Sequence, residues 1–156
     1  MRYVSTRGGA TANFAEVLLG GPAPDGGLYL PETWPQFSRS EIESFAGLSY
    51  AEVAFRVMRP FIGDAFTDDE FRADVDGAYA TFTHPEVVPL TELSSDKYLL
   101  ELFHGPTLAF KDVAMQLLGR LFARALEKQG RRATVIVATS GDTGSAAIAA
   151  LKGQPN

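Results

Sequence analysis

A seven-residue run of small and β-branched apolar residues, Ala133–Thr139 (ATVIVAT), opens directly into Ser140-Gly141-Asp142-Thr143-Gly144. No other feature limits the possible folds as much. A run of this kind between turn residues suits a strand buried on both faces of a sheet. Ala146, Ile148 and Leu151 follow at helical spacing and predict a helix directly after the glycines. Upstream, Lys97–Phe103 (KYLLELF) reads as a strand and His104-Gly105-Pro106-Thr107 as a loop. The longest helix then spans about Leu108 to Gln129. Its apolar face is Phe110, Ala114, Leu117, Leu118, Leu121, Phe122, Ala125 and Leu126, and Gly130 is its natural stop. Strand, helix, strand, helix is the grammar of a parallel α/β sheet. The predicted fold class is therefore α/β: a small α-rich module over residues 1–83, then the first βα units of a parallel three-layer domain over 84–156. A further parallel strand is expected beyond Gly153-Gln154-Pro155-Asn156, so the second domain reads as cut at a loop.

The first segment carries helix signals rather than strand signals. Asn13 is placed to cap a short helix, Phe14–Leu19, that Gly20-Gly21 ends. The turn-rich Pro22–Gly27 precedes a short strand, Leu28–Leu30, stopped by Pro31. Three capping boxes are predicted, Ser40 with Glu43, Ser49 with Glu52 and Thr67 with Glu70. Behind Ser49, Val53, Val57 and Phe61 recur every four residues. Behind Thr67, Phe71, Val75, Ala78 and Tyr79 form a second apolar stripe. Pro85 and Pro89 bracket an extended connection.

Composition removes several function classes. The chain has no cysteine, which excludes disulfides, thiolate catalysis and cysteine-based zinc sites. Its two histidines, His84 and His104, lie apart in sequence, so no histidine-rich metal site is expected, and carboxylate-bound magnesium stays open. With 14 Lys+Arg against 19 Asp+Glu the net charge is −5, a poor match for nucleic acid or an anionic membrane surface. No apolar stretch approaches the ~20 residues that span a bilayer, and the first eight residues lack a signal-peptide core. A cytoplasmic, soluble protein is expected.

Two places can carry chemistry. Ser140–Gly144 joins a strand end to a helix N-terminus, where ligands bind in open α/β sheets and free backbone N–H groups suit an anion. The plainer reading is a tight turn with Asp142 or Thr143 as the N-cap. The second place is Lys111, in the first turn of the long helix. The helix field, with burial, favours its neutral amine, the form that attacks a carbonyl. The plainer reading is an exposed lysine paired with Asp112. His104 suits general acid–base work, or a hydrogen bond to the loop backbone, which is preferred. Tyr29, Trp34 and Phe37 read as packing residues.

Taken together, these segments resemble the threonine synthase family. Glu101–Asp112 (ELFHGPTLAFKD) is similar to that family's cofactor-lysine segment, and Ala138–Gly144 (ATSGDTG) to its substrate loop. Tyr3–Gly8 and Pro24–Pro31 resemble the family's opening. The resemblance implies an enzyme of the tryptophan-synthase-β-like fold type that uses pyridoxal 5'-phosphate. Its reaction turns O-phospho-L-homoserine and water into L-threonine and phosphate, a lyase reaction in threonine biosynthesis. It implies Lys111 as the Schiff-base lysine and later as the proton-moving base, with Phe110 and Asp142 at the cofactor. It implies Ser140, Gly141, Asp142 and Thr143 as holders of the substrate carboxylate. Family members are much longer, and the loop that grips the cofactor phosphate is not found here. The chain alone is therefore expected to be inactive and, with an unpaired edge at Ala133–Thr139, to self-associate. Two alternatives stay open: another lyase of the same cofactor family, such as a threonine dehydratase, and a noncatalytic fragment or interaction module.

Overall fold

Residues 2–31 form a small antiparallel sheet with a helix within it, where the sequence predicts one short helix and one short strand joined by turns. Strand β1 (Arg2–Ser5) is central, paired with β2 (Thr11–Asn13) on one side and β3 (Tyr29–Pro31) on the other. These strands are three or four residues long, too short to show a period of two. Side chains hold the sheet's loops. Asp25 accepts hydrogen bonds from Ser5 Oγ (2.7 Å) and from the Gly27 and Gly9 amides (2.9 and 3.0 Å). The Ser5 hydroxyl, then the Gly27 amide, hold its carboxyl below the usual range. The structure, a computed structural model, describes residues 1–156, which divide into two units, Met1–Ala73 and Asp74–Asn156.

Helix α1 (Phe14–Gly20) begins as predicted: Asn13 and Glu16 form a reciprocal capping box. Helix α2 (Arg39–Glu43) does not begin at the predicted pair. Ser38 and Glu41 make its capping box, Ser40 already lies inside the helix, and Glu43 instead pairs with Arg39 one turn back. In α3 (Tyr50–Ile62), Ser49 caps the Glu52 amide, but the Glu52 carboxylate turns to Arg56 and Arg72. The predicted stripe is also rotated. Phe55 and Ile62, seven residues apart, are buried, whereas Val53, Val57 and Phe61 are half-exposed. Thr67 and Glu70 cap α4 (Asp68–Tyr79) reciprocally. All four predicted apolar positions of α4, Phe71, Val75, Ala78 and Tyr79, are buried. Burying Phe71 contributes about 2 kcal/mol. Its ring lies 5.4 Å from that of Phe55 in the first unit.

In the second unit, strands β4 (Leu90–Ser94) and β5 (Lys97–Leu100) pair antiparallel as a hairpin. The sequence predicts β5 but gives Leu90–Ser94 no element, because Thr91, Glu92 and Ser94 hide its character. Helix α5 (Asp112–Lys128) starts four residues later than predicted. It ends in a Schellman motif: the Arg131 amide donates to the Leu126 carbonyl (2.9 Å) and the Gly130 amide to that of Glu127 (3.0 Å). Gly130 adopts φ +59°. Helix α6 (Asp142–Leu151) packs on α5 through small residues. A Cβ at Gly119 would lie 2.7 Å from the Ala150 carbonyl oxygen, so only glycine permits this approach.

The run Ala133–Thr139 forms no ladder. It keeps a strand's alternation, since Val135 and Val137 border an apolar groove of about 270 Å³ beside Leu126 and Ala147 while Ile136 is 90% exposed. A strand is made by its neighbours' N–H and C=O groups, and no strand pairs with this run; β5, the other strand of the expected parallel pair, bonds to β4 alone. Every residue from 127 to 142 is exposed. No helix is long and apolar enough to cross a membrane.

Candidate functional site

Lys111 stands at the N-cap of α5 and not within its first turn. Its carbonyl accepts the first helical bonds, from the Ala114 and Met115 amides (3.2 and 2.8 Å), and its side chain makes no capping bond. Its ammonium lies 4.3 Å from the centre of the Phe110 ring, a cation–π contact. The predicted alternative, an ion pair with Asp112, is not formed. Asp112 is wholly buried and turned the other way, accepting from the Thr107 amide and hydroxyl (2.8 and 2.9 Å) and from Gln116 Nε2 (3.2 Å). Between these anchors Leu108 adopts φ +62° with 70% of its surface exposed. A non-glycine residue in that region is held there by its surroundings.

The turn into α6 is built differently. Gly141 sits at the N-cap with φ +138°. Neither Asp142 nor Thr143 is the cap. The capping oxygen is Thr139 Oγ1, which accepts from the Gly141 amide (3.2 Å) and the Gly144 amide (3.0 Å). The Asp142 and Thr143 amides at the helix start have no protein acceptor. Ser140, Gly141 and Asp142 are exposed and Thr143 is half-buried.

Both turns meet in one place. An open depression of about 360 Å³ is lined by Phe103, Thr107, Leu108 and Phe110 from the loop before α5, and by Asp142 from the start of α6. Of the predicted site residues, Phe110 and Asp142 line it. Lys111 is not part of its lining but touches Phe110, which is, and Ser140, Gly141 and Thr143 are not part of its lining either. The His104 ring bonds to a side chain and not to the loop backbone. Its Nε2 donates to Glu101 Oε2 (2.7 Å), and Thr91 Oγ1 donates to the other Glu101 oxygen (2.9 Å). The His104 bond, then the Thr91 bond, hold the Glu101 carboxyl below its usual 4.5. His84 packs on the His104 ring at 4.9 Å, and the His104 carbonyl accepts from the Thr83 amide (2.9 Å).

Thr107, Leu108, Asp112 and Thr139 went unmarked in the sequence. The signal for Asp112 was available: a threonine five residues before an acid at a helix start can close a hydrogen-bonded loop.

The elements define a mixed α/β chain in which two helices begin beside one depression. Residues 2–79 match the family described as the threonine synthase N terminus. A threonine synthase of Pseudomonas aeruginosa is 56% identical over 95% of this chain and 32% of its own length. One of Methylobacillus glycogenes is 48% identical over 99% of the chain and 34% of its own length. The crystal structure of a PLP-bound threonine synthase from Brucella melitensis superposes with a TM-score of 0.98 at 52% identity, covering 100% of this chain and 34% of that one. The chain belongs to the threonine synthase family. It spans about a third of the length of these relatives, and its fold is that of the N-terminal part of threonine synthase structures.

Proposed function

We propose that the chain is the lysine-bearing part of a threonine synthase, which converts O-phospho-L-homoserine and water to L-threonine and phosphate. The observation that carries this reading is the depression where Asp142 meets the loop that ends at Lys111. Pyridoxal 5'-phosphate, when bound, supplies an aldehyde for the lysine amine and a ring that accepts electrons. The residues present fit such a group: an aromatic ring in the lining, an amine in contact with that ring, and a helix N-terminus with two unengaged amides.

Lys111 Nζ is assigned the covalent hold on the cofactor and, once released, the taking and returning of protons at the substrate carbons. The Asp142 and Thr143 amides, with Ser140 and Gly141, hold the substrate carboxylate at the positive end of α6. The Asp142 carboxylate makes no hydrogen bond within the chain and is assigned to the cofactor's ring hydroxyl. Phe110 offers an apolar face. The functional division is placed at residues 83/84, since every assigned residue lies in the second segment. The 156 residues alone are proposed not to turn over, because the depression is open and the relatives bring about twice as much chain again to the reaction.

The test is borohydride reduction of the full-length protein with pyridoxal phosphate, followed by peptide mapping. The modification is expected on Lys111. Finding it on Lys97, Lys128 or Lys152 overturns the assignment. Asp142→Ala is expected to shift the bound cofactor's absorbance while lowering the melting temperature only slightly, since that side chain caps nothing and loses only its favourable charge at the start of α6.

A further inference from the structure

We propose that Asp112 is the positioning residue for Lys111, acting through Thr107 to fix the loop that presents the lysine. The inference rests on the reading of Lys111 as the reactive amine. Asp112 is 0% exposed and has no ion-pair partner, an unusual state for a carboxylate. Its bonds explain it. Oδ2 accepts twice from Thr107, from the amide and the hydroxyl, while Oδ1 accepts from Gln116 one turn further along α5. One end of this clamp is therefore inside the helix and the other is five residues back in the loop.

The clamp encloses Leu108, Ala109, Phe110 and Lys111, the residues that form one wall of the depression and carry the amine. Within it Leu108 is held at φ +62°, with the Leu108 amide donating to the Gly105 carbonyl (3.1 Å) and the Asp112 amide to that of Ala109 (3.0 Å). Gly105 completes the device, because a Cβ there would overlap the Asp112 side chain. The carboxylate also stands at the first position of α5, where negative charge favours the helix dipole. Nothing in this arrangement requires Asp112 to touch a ligand; it sets the backbone from which Lys111 departs.

A carboxylate is not the only group that can do this. An asparagine can keep its oxygen towards Thr107, while Gln116 turns its amide to accept from the new Nδ2. An alanine leaves the part-buried Thr107 amide without an acceptor. The experiment compares Asp112→Ala, Asp112→Asn and Thr107→Val in the full-length protein by amide hydrogen exchange and by the rate of reductive trapping of pyridoxal phosphate on Lys111. Asp112→Ala is expected to speed exchange in residues 105–111 about tenfold or more. It should slow trapping on Lys111 by a similar factor relative to Lys97, Lys128 and Lys152, while exchange in α6 stays unchanged. Asp112→Asn is expected to restore both.

If Asp112→Ala does not fold, Thr107→Val, which deletes one bond of the clamp, carries the test with a smaller change of the same sign. Unchanged exchange at 105–111 in the first folded variant overturns the proposal, as does an asparagine that behaves like alanine. Absence of trapping on Lys111 in the unaltered protein, with exchange responding as expected, overturns the reading of Lys111 and not the clamp.

Discussion

The loop into α5 and the turn into α6 both end at a helix N-terminus beside the same depression, yet they are held by different means. In the first, a buried carboxylate ties the helix to the loop with two hydrogen bonds and accepts a third from Gln116 within the helix, and a glycine is pressed against it. In the second, one hydroxyl on an exposed run caps the helix, and the glycine at the N-cap has open space around it. The difference matches the tasks proposed for them. A reactive amine must be delivered to a fixed point, whereas a turn that closes on a small anion gains from backbone groups left unengaged.

The sharpest way to break this contrast is to crowd the first loop. Gly105→Val pushes into Asp112 and is expected to cost about 1–3 kcal/mol, seen as a lower denaturant midpoint. Next comes the backbone of the second turn. Gly141→Ala meets no neighbour, so its cost comes from φ +138° alone, about 1–2 kcal/mol. A thermal melt of the two variants separates crowding from strain, because an alanine at Gly141 relaxes only by moving the backbone. A Gly141→Ala protein as stable as the parent removes the strain from the account.

A smaller effect is expected from Thr139→Val, which keeps the shape and deletes the cap at about 1 kcal/mol. Circular dichroism should report the loss in helical signal, and exchange should locate it in the first turn of α6. The smallest concerns the entry to the first loop. Glu101 is held below its usual 4.5 by His104 and Thr91. Its contribution is present above the ordinary carboxylate range and is lost as pH falls through the depressed value. Glu101→Gln should flatten the acid limb of a stability–pH curve and leave the α6 turn unaffected.

Local signals were legible at several helix ends, though not at α2, which starts from Ser38, nor at α6, whose N-cap is Gly141. Asn13, Thr67 and Gly130 start or stop their helices as their residue types predict, and the α4 stripe is buried throughout. Legibility failed where long-range bonds override a pattern. The predicted face of α5 runs through Phe110, Ala114 and Leu118, yet those residues are exposed, while Asp112 and Gln116 are buried because they satisfy one another. The same pairing delays the start of α5 from Leu108 to Asp112. The strands β1, β2 and β4 were missed because strands of three to five residues have no period to read. Ala133–Thr139 showed the reverse: its composition is that of a strand, but composition cannot supply a neighbour. At the candidate site, the glycines and the lysine could be read directly. The residues that hold them, Thr139 and Asp112, could not, because small polar residues near helix starts usually face water.

Thr139 belongs to the exposed run by chain position and to α6 by hydrogen bonding. It shares the parity of Val135 and Val137, the residues that border the groove beneath the run. Side chains alternate along such a segment, so a slip of one residue would turn the Thr139 hydroxyl outward and bring Ile136 down onto the helices. The start of α6 would then lose its cap. The helix thus acts as a proofreader for the segment before it: only one of the two possible alignments of the run lets α6 begin at Asp142, and a misaligned run would betray itself as a frayed helix.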